Sequence, residues 1–282
     1  MSQTKQQIQA LLAQAAMSPR HRFGQNFMID RNLVATVAQA GEIAPADLVI
    51  EVGPGTGTLT EELLARCQHV LAIEIDRDLA GLLQERHAAN PAFELIVGDA
   101  LESKHQINPA LAGRIRSAIA AGQTVRLVAN LPYNIASPLV IELLIEGASL
   151  LAFTVQKEVG QRLKAPCGSD EYGPLTVIAQ LLADVTIERT HPPQAFWPAP
   201  TIDSALVVMR RHDQLGALAR PFGQFVATLF SSRRKMLRKA LTNAGRSATP
   251  ETLAQLNLTP EQRPETIAPA QLLTLFQATT TI

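Results

Sequence analysis

The run Leu48-Val49-Ile50-Glu51-Val52, followed at once by Gly53-Pro54-Gly55-Thr56-Gly57, constrains this chain more than any other segment. A short apolar stretch that stops at glycine reads as a buried parallel strand. The glycines after it let a ligand approach the backbone closely. Similar apolar runs recur at 70–74, at 93–97 (closing on Gly98-Asp99), at 125–129 (delivering Asn130) and at 150–155. Helical periodicity fills 59–65, 79–87 and 138–146 between them. This alternation specifies an α/β fold with an open, mostly parallel, Rossmann-like sheet. Strands over 185–189 and 204–210 bracket the loop HPPQAFWPAPTID and are expected to form an antiparallel edge of that sheet. Residues 102–124 read as an alanine-rich helical insert.

Ahead of the sheet, Ile8, Leu11, Leu12 and Ala15 share one face of a short helix within 1–20. Asp30 is placed to cap a second helix carrying Leu33, Val34, Val37 and Ala38. From about residue 214 the pattern is helical with loops. Two domains are therefore expected, 1–213 with its N-terminal helical extension and 214–282 as a helical domain. Hydrophobic residues make up 46% and charged residues 18%, which excludes a disordered chain. No apolar run is long enough to span a bilayer, and the N-terminus lacks a basic segment followed by an apolar core. Cys67 and Cys167 have no metal-ligand spacing and are too few for a disulfide framework, so a reducing, cytoplasmic setting and no metal are expected. The formal net charge is zero, but eight Lys or Arg against three Asp or Glu leave 214–282 with +5 and the rest with −5. That asymmetry points to a nucleic-acid surface in the C-terminal part.

In open parallel sheets ligands sit at the carboxyl ends of the strands. Those ends carry Gly53, Gly55 and Gly57, then Glu74, Asp99 and Asn130. The spacing is G-x-G-x-G with Thr58 where a dinucleotide fingerprint needs its third glycine, and there is no Gly-Lys-Ser/Thr run. Glu74 can take both hydroxyls of a ribose, and Asp99 can accept from an adenine amino group. Two acids around one nucleoside disfavour a phosphate-bearing ligand. They suit S-adenosylmethionine, which has a cationic sulfonium and no phosphate.

The run Asn130-Leu131-Pro132-Tyr133 supplies what methylation of a nucleobase amine requires. The lone pair of such an amine is delocalised into the ring. Hydrogen bonds from both its hydrogens to fixed acceptors favour a pyramidal nitrogen and aim the lone pair at the methyl group. Asn130 and a carbonyl of Leu131 or Pro132 can be those acceptors, and Tyr133 can stack on an extruded base. Phe196 in the proline-rich loop is available as a second ring.

With these residues in view, the chain resembles the small-subunit (16S) ribosomal RNA adenine dimethyltransferases, the kasugamycin-sensitivity enzymes of bacteria. The matching segments are HRFGQNFMID, EVGPGTGTLT, IEID, GDAL, NLPYNIASPL, QKEVGQRL with YGPLTV, PPQAFWPAPTIDSALV and SSRRKMLRKAL, spanning 21–241 in family order. The resemblance implies a class I methyltransferase fold with a small helical C-terminal domain. It implies transfer of two methyls from S-adenosylmethionine to each of two adjacent adenosines in the 3′-terminal hairpin loop of small-subunit rRNA. Asn26 and Met28 are implied as cofactor contacts beside Gly53, Glu74, Asp99 and Asn130, and the neighbours Gln25, Ile75 and Ala100 join this candidate set. Phe196 is implied as the second stacking ring.

Phosphate contacts should supply most of the RNA affinity. At 100° per residue Arg234, Lys235, Arg238 and Lys239 share one face of a helix, with Met236, Leu237, Ala240 and Leu241 on the opposite, core-facing stripe. Arg22 would extend this basic surface. The expected partner is small-subunit rRNA within an assembled subunit, met by a monomer. The competing readings are a macrolide-resistance-type methyltransferase of large-subunit rRNA, a non-catalytic ribosome-assembly factor on the same scaffold, and an NAD-dependent dehydrogenase. The last lacks the third glycine and gives no reason for Asn130-Leu131-Pro132-Tyr133.

Overall fold

Seven strands of the computed structural model form one sheet, in the spatial order β3-β2-β1-β4-β5-β7-β6. In chain order they are β1 Leu48–Val52, β2 His69–Glu74, β3 Phe93–Val97, β4 Val125–Asn130, β5 Leu150–Gln156, β6 Ala183–His191 and β7 Ser204–Arg211. Strands β1 to β5 are parallel, and β7 runs antiparallel against β5, pairing Ser204 with Gln156 and Arg210 with Leu150. The structure describes residues 3–20, 23–231 and 235–281.

The apolar runs become strands because both faces of the sheet are covered. β1 is buried along its whole length, and Val49 and Val128 join Leu33, Val34, Val37 and Ala38 in one core cluster. Those four residues lie on α1 of the sheet layer, Arg31–Ala40, which Asp30 caps by accepting from the amides of Asn32 and Leu33. β3 is an edge strand, and Val97 at its end remains 52% exposed. The chain order reverses between β1 and β4. Their carboxyl ends therefore flank a crevice, the place where such sheets bind ligands.

The N-terminal helix Lys5–Gln14 opens with a reciprocal cap between Thr4 and Gln7. It buries Ile8 and Leu12 against Phe27 and Leu79. Phe27 and Met28 then pair antiparallel with Trp197 and Phe196, tying the segment before the sheet to the proline-rich loop. The expected helical insert is only partly helical. Leu101–Ser103 and Gln106–Ile107 form a small hairpin, and the helix runs from Pro109 to Ala120 with Asn108 as its cap.

The chain divides into two compact units, Met1–Gly160 with Thr186–Arg211, and Gln161–Val185 with His212–Ile282. This differs from a division at 213/214, which leaves 161–185 with the sheet. The segment packs with the C-terminal helices instead. Tyr172 is 1% exposed, donates to the Ile267 carbonyl at 2.8 Å and lies against Phe230. Helix Pro174–Leu182 buries Val177, Leu181 and Leu182 in the same unit. Phe222, Phe225 and Phe276 form its aromatic centre, and the Arg246 guanidinium sits 4.0 Å from the Phe276 ring centroid. The basic helix also departs from expectation. It starts at Leu237, with Met236 as the residue before it and 57% exposed. Leu237, Ala240 and Leu241 do face the core, but Met236 and Lys235 precede the helix and belong to no helical stripe.

Candidate active site

One cleft at the β1/β4 crevice gathers most of the candidate cofactor residues. Gln25, Asn26, Met28, Gly53, Gly55, Glu74, Ile75, Asp99, Ala100 and Asn130 line it together with Pro132. Gly55 has φ +61°, and a Cβ there would lie 2.8 Å from the Phe27 ring. Only glycine fits, which keeps the loop backbone bare at the cleft. Gly57 does not line the cleft. It is the residue before helix Thr58–Leu64, and a Cβ on it would point at Leu83, 3.0 Å away. Its place is explained by helix packing, not by a ligand.

Glu74 ends β2 almost fully buried. Its two carboxylate oxygens accept from the Gly55 amide at 3.2 Å and the Asp76 amide at 2.9 Å. Each oxygen keeps capacity for a further donor, the geometry a pair of ribose hydroxyls needs. Burial pushes its pKa up to about 7. A second acid, Glu51, is 2% exposed, also lines the cleft, and accepts from the Thr60 hydroxyl at 2.6 Å. Burial pushes it up to about 8, with the Glu74 charge adding to the effect. Glu51 was absent from the sequence-based set, although a carboxylate in the middle of a buried apolar strand was its visible signal. Asp99 is exposed at the rim, and one oxygen is occupied by the Leu101 amide at 3.0 Å. Ile75 beside it is 41% exposed and offers an apolar surface at the mouth.

The described lining residues include Glu51, Glu74 and Asp99 and no lysine or arginine. Such a donor set repels phosphate and fits a nucleoside bearing positive charge, so the cleft fits S-adenosylmethionine. Glu74 would hold the ribose, Asp99 the base amine, and the bare loop at Gly53 and Gly55 the amino-acid end. No group of three metal-ligating side chains occurs among the described residues. Gln25 serves as a brace. Its amide oxygen accepts from the Arg20 amide at 2.7 Å and its nitrogen donates to Asp76 at 3.1 Å, while Arg20 pairs with Asp76 at 2.7 Å.

Asn130 closes β4 with its amide held at both ends. Nδ2 donates to the Asn26 carbonyl at 2.7 Å, and Oδ1 accepts from the Thr154 hydroxyl. Leu131 is 2% exposed, so its side chain anchors the turn and only its backbone is free to act. The Pro132 carbonyl accepts from the Ile135 amide at 3.2 Å. Tyr133 is half-buried and its hydroxyl meets Ser204 Oγ at 2.9 Å, while burial raises its pKa. Phe196 is not brought to the cleft. Its ring is 2% exposed within the cluster of Met28, Leu33, Ala195 and Leu206. The pairing of Phe196 with Met28 turns it inward, so as it stands it packs the core and has no face free for a base.

Of the basic candidates, Lys235, Arg238 and Lys239 are exposed in the helical unit. Arg22 and Arg234 lie outside the described residues. No described helix is long and apolar enough to cross a membrane.

These features have close counterparts among known proteins. A family model described as ribosomal RNA adenine dimethylase matches residues 16–281. The ribosomal RNA small subunit methyltransferase A of Moorella thermoacetica is 36% identical over 271 residues, covering 92% of this chain and 91% of that protein. Its counterpart in Yersinia enterocolitica is 38% identical over 258 residues, covering 89% and 90%. Among solved structures, the 23S rRNA methyltransferase ErmE superposes with a TM-score of 0.67 at 25% identity, covering 90% of this chain and 99% of that one. A dimethyladenosine transferase from Plasmodium falciparum shares the fold, with a TM-score of 0.67 at 21% identity over 89% and 97%. The chain belongs to the ribosomal RNA adenine dimethylase family, as an rRNA adenine dimethyltransferase that draws its methyl groups from S-adenosylmethionine.

Proposed function

We propose that this enzyme dimethylates the 6-amino groups of two adjacent adenosines in the 3′-terminal hairpin loop of small-subunit rRNA, in the cytoplasm, on a largely assembled subunit whose maturation it assists. The observation that carries this reading is the Asn130 amide, held at the edge of an acidic nucleoside cleft with its carbonyl oriented by two partners. Similarity over about nine-tenths of the chain to proteins named for the small subunit, at 36% and 38% identity, favours that subunit over the large one.

In this reading Asn130 Oδ1 accepts one amine hydrogen. The Leu131 or Pro132 carbonyl accepts the other; the Pro132 carbonyl also takes the Ile135 amide. Both bonds draw the nitrogen lone pair out of conjugation and aim it along the cleft. Bound S-adenosylmethionine supplies a methyl group already activated as a sulfonium. Glu74, Asp99 and the bare loop at Gly53 and Gly55 would hold the cofactor, and transfer would leave the electron pair on sulfur and a proton for the alkylated nitrogen to shed. No strong base is needed, and in-line placement provides most of the acceleration. Tyr133 stacks on the extruded base, its ring held by Ser204. Lys235, Arg238 and Lys239 contact phosphates, and Arg22 and Arg234 are proposed as further phosphate contacts. We read the sheet-bearing unit as catalytic, the helical unit as the RNA grip and the working form as a monomer.

The test is radiolabelled methyl transfer to undermethylated small subunits and to large subunits, followed by nucleoside analysis. Dimethyladenosine confined to the 3′-terminal hairpin of the small subunit is expected. Label in large-subunit rRNA would mark the macrolide-resistance type, and assembly rescue without any label would mark a non-catalytic factor.

A further inference from the structure

We infer that Thr154 is a positioning residue for methyl transfer, acting through Asn130. This deepens the proposed catalytic reading and rests on it. The sheet register carries the inference. β5 lies parallel to β4, and Thr154 is the register partner of Asn130. Neighbours in register project to the same side of a sheet, so the Thr154 hydroxyl stands beside the Asn130 amide.

Thr154 grips the turn twice. Its backbone carbonyl accepts from the Leu131 amide at 3.2 Å, and its hydroxyl donates to Asn130 Oδ1. The side chain is fully buried, so its hydroxyl has no water to compete for it. A β-branched residue on a strand is stiff at χ1, so the donor is held in place.

The direction of each bond is fixed by chemistry. The Asn26 carbonyl can only accept, so the atom 2.7 Å from it must be the Asn130 nitrogen. The other end of the amide is then the oxygen, and Thr154 must donate to it. Asn26 decides which end of the amide faces the cofactor cleft. Thr154 decides the rotation of the amide about its own axis. An amide oxygen has two lone pairs, and Thr154 takes one. The second is left for a single direction, and Asn130 lines the cleft. Without the hydroxyl the amide is tethered at one end only and swings about that tether. The amine would still bind, but less often with its lone pair in line.

The test compares Thr154→Val, Thr154→Ser and Asn130→Ala in single-turnover methyl transfer on small subunits at saturating cofactor and RNA. Cofactor affinity and thermal stability are measured alongside. Valine keeps shape and branching and removes only the donor. Thr154→Val is expected to transfer methyl roughly 10-fold more slowly, in line with the steep dependence of rate on alignment, with cofactor and RNA affinities unchanged. Thr154→Ser, which keeps the hydroxyl, restores most of the rate. Asn130→Ala abolishes it.

A Thr154→Val rate within about twofold of wild type, with Asn130→Ala inactive, overturns the positioning role while leaving the catalytic reading intact. Equal loss in Thr154→Val and Thr154→Ser overturns it in favour of packing. An active Asn130→Ala overturns both readings. Should Thr154→Val fail to fold, Thr154→Cys with its weak S–H donor is expected to fall between wild type and Asn130→Ala, and a wild-type rate there overturns the inference.

Discussion

Gln3 and Thr56 hold each other through two reciprocal hydrogen bonds across 53 residues of chain. The Gln3 amide nitrogen donates to the Thr56 carbonyl at 2.9 Å, and the Thr56 hydroxyl donates to the Gln3 amide oxygen at 2.8 Å. Arg86 also donates to the Thr56 carbonyl and pairs with Glu61. The glycine loop is therefore clamped from outside by the N-terminal segment. Gln3→Ala leaves the buried Thr56 hydroxyl without a partner, while the Thr56 carbonyl keeps Arg86, a loss that costs about 1–3 kcal/mol. Urea denaturation is expected to show that loss, and calorimetry a several-fold weaker cofactor affinity. Wild-type values in both would remove the clamp from the account of the site.

Cofactor affinity is expected to rise with pH. Glu74 and Glu51 are raised by burial to about 7 and about 8, from an ordinary value of 4.5. A cation placed beside them favours their ionised forms, so binding expels protons. Titration calorimetry in buffers of different ionisation heat should show proton release near neutral pH, and Glu74→Gln should reduce it. The linkage runs the other way for the ligand-free fold. A raised folded value means the native state holds protons that the unfolded chain releases. The stability these acids contribute is complete below about pH 4.5 and is lost as pH rises through about 7 to 8.

Gly55→Ala is expected to damage fold and site together. The new Cβ would press on the Phe27 ring from a left-handed backbone position. Overpacking and strain of this kind cost about 1–3 kcal/mol each. Thermal denaturation and cofactor titration check it. A variant matching wild type in both would show that Phe27 yields without cost.

Phe196 and Tyr133 are expected to separate by phenotype. Phe196→Ala empties a core position and should lose about 3–5 kcal/mol of stability, while Phe196→Leu keeps near-normal turnover. Tyr133→Ala should stay folded and raise the RNA concentration needed for half-maximal rate, since base stacking contributes roughly 1–3 kcal/mol. Denaturation midpoints and steady-state kinetics of the variants tell the two apart. A stable, inactive Phe196→Leu would return the ring to the reaction.

The parts of this molecule that could be read in advance are those written in short range. The strand at 48–52, its glycine loop, Glu74, Asp99 and Asn130 each follow from neighbours within a few residues, and all but Gly57 among the loop glycines meet at one cleft. What escaped depends on partners far along the chain. Phe196 looks available until Met28 pairs beside it. Thr154 looks like a strand filler until β4 fixes its register. The hairpin at 101–107 turns through Lys104-His105, without the Asn-Gly or Gly-X signal that two-residue turns usually announce. Residues 161–182 read locally as a helix end, a loop and a second helix, and nothing local says that Tyr172 in that loop meets Phe230 and the Ile267 carbonyl.

The backbone passes between the two units three times, at 160/161, 185/186 and 211/212. A stop codon after residue 211 would therefore not liberate a tidy catalytic fragment. It would strand 161–185 with the apolar surface of Tyr172, Val177 and Leu182 facing solvent, an invitation to aggregation and proteolysis. Gene truncations that aim to separate the RNA grip from the chemistry would need to excise both pieces and reconnect 160 to 186 by a short linker.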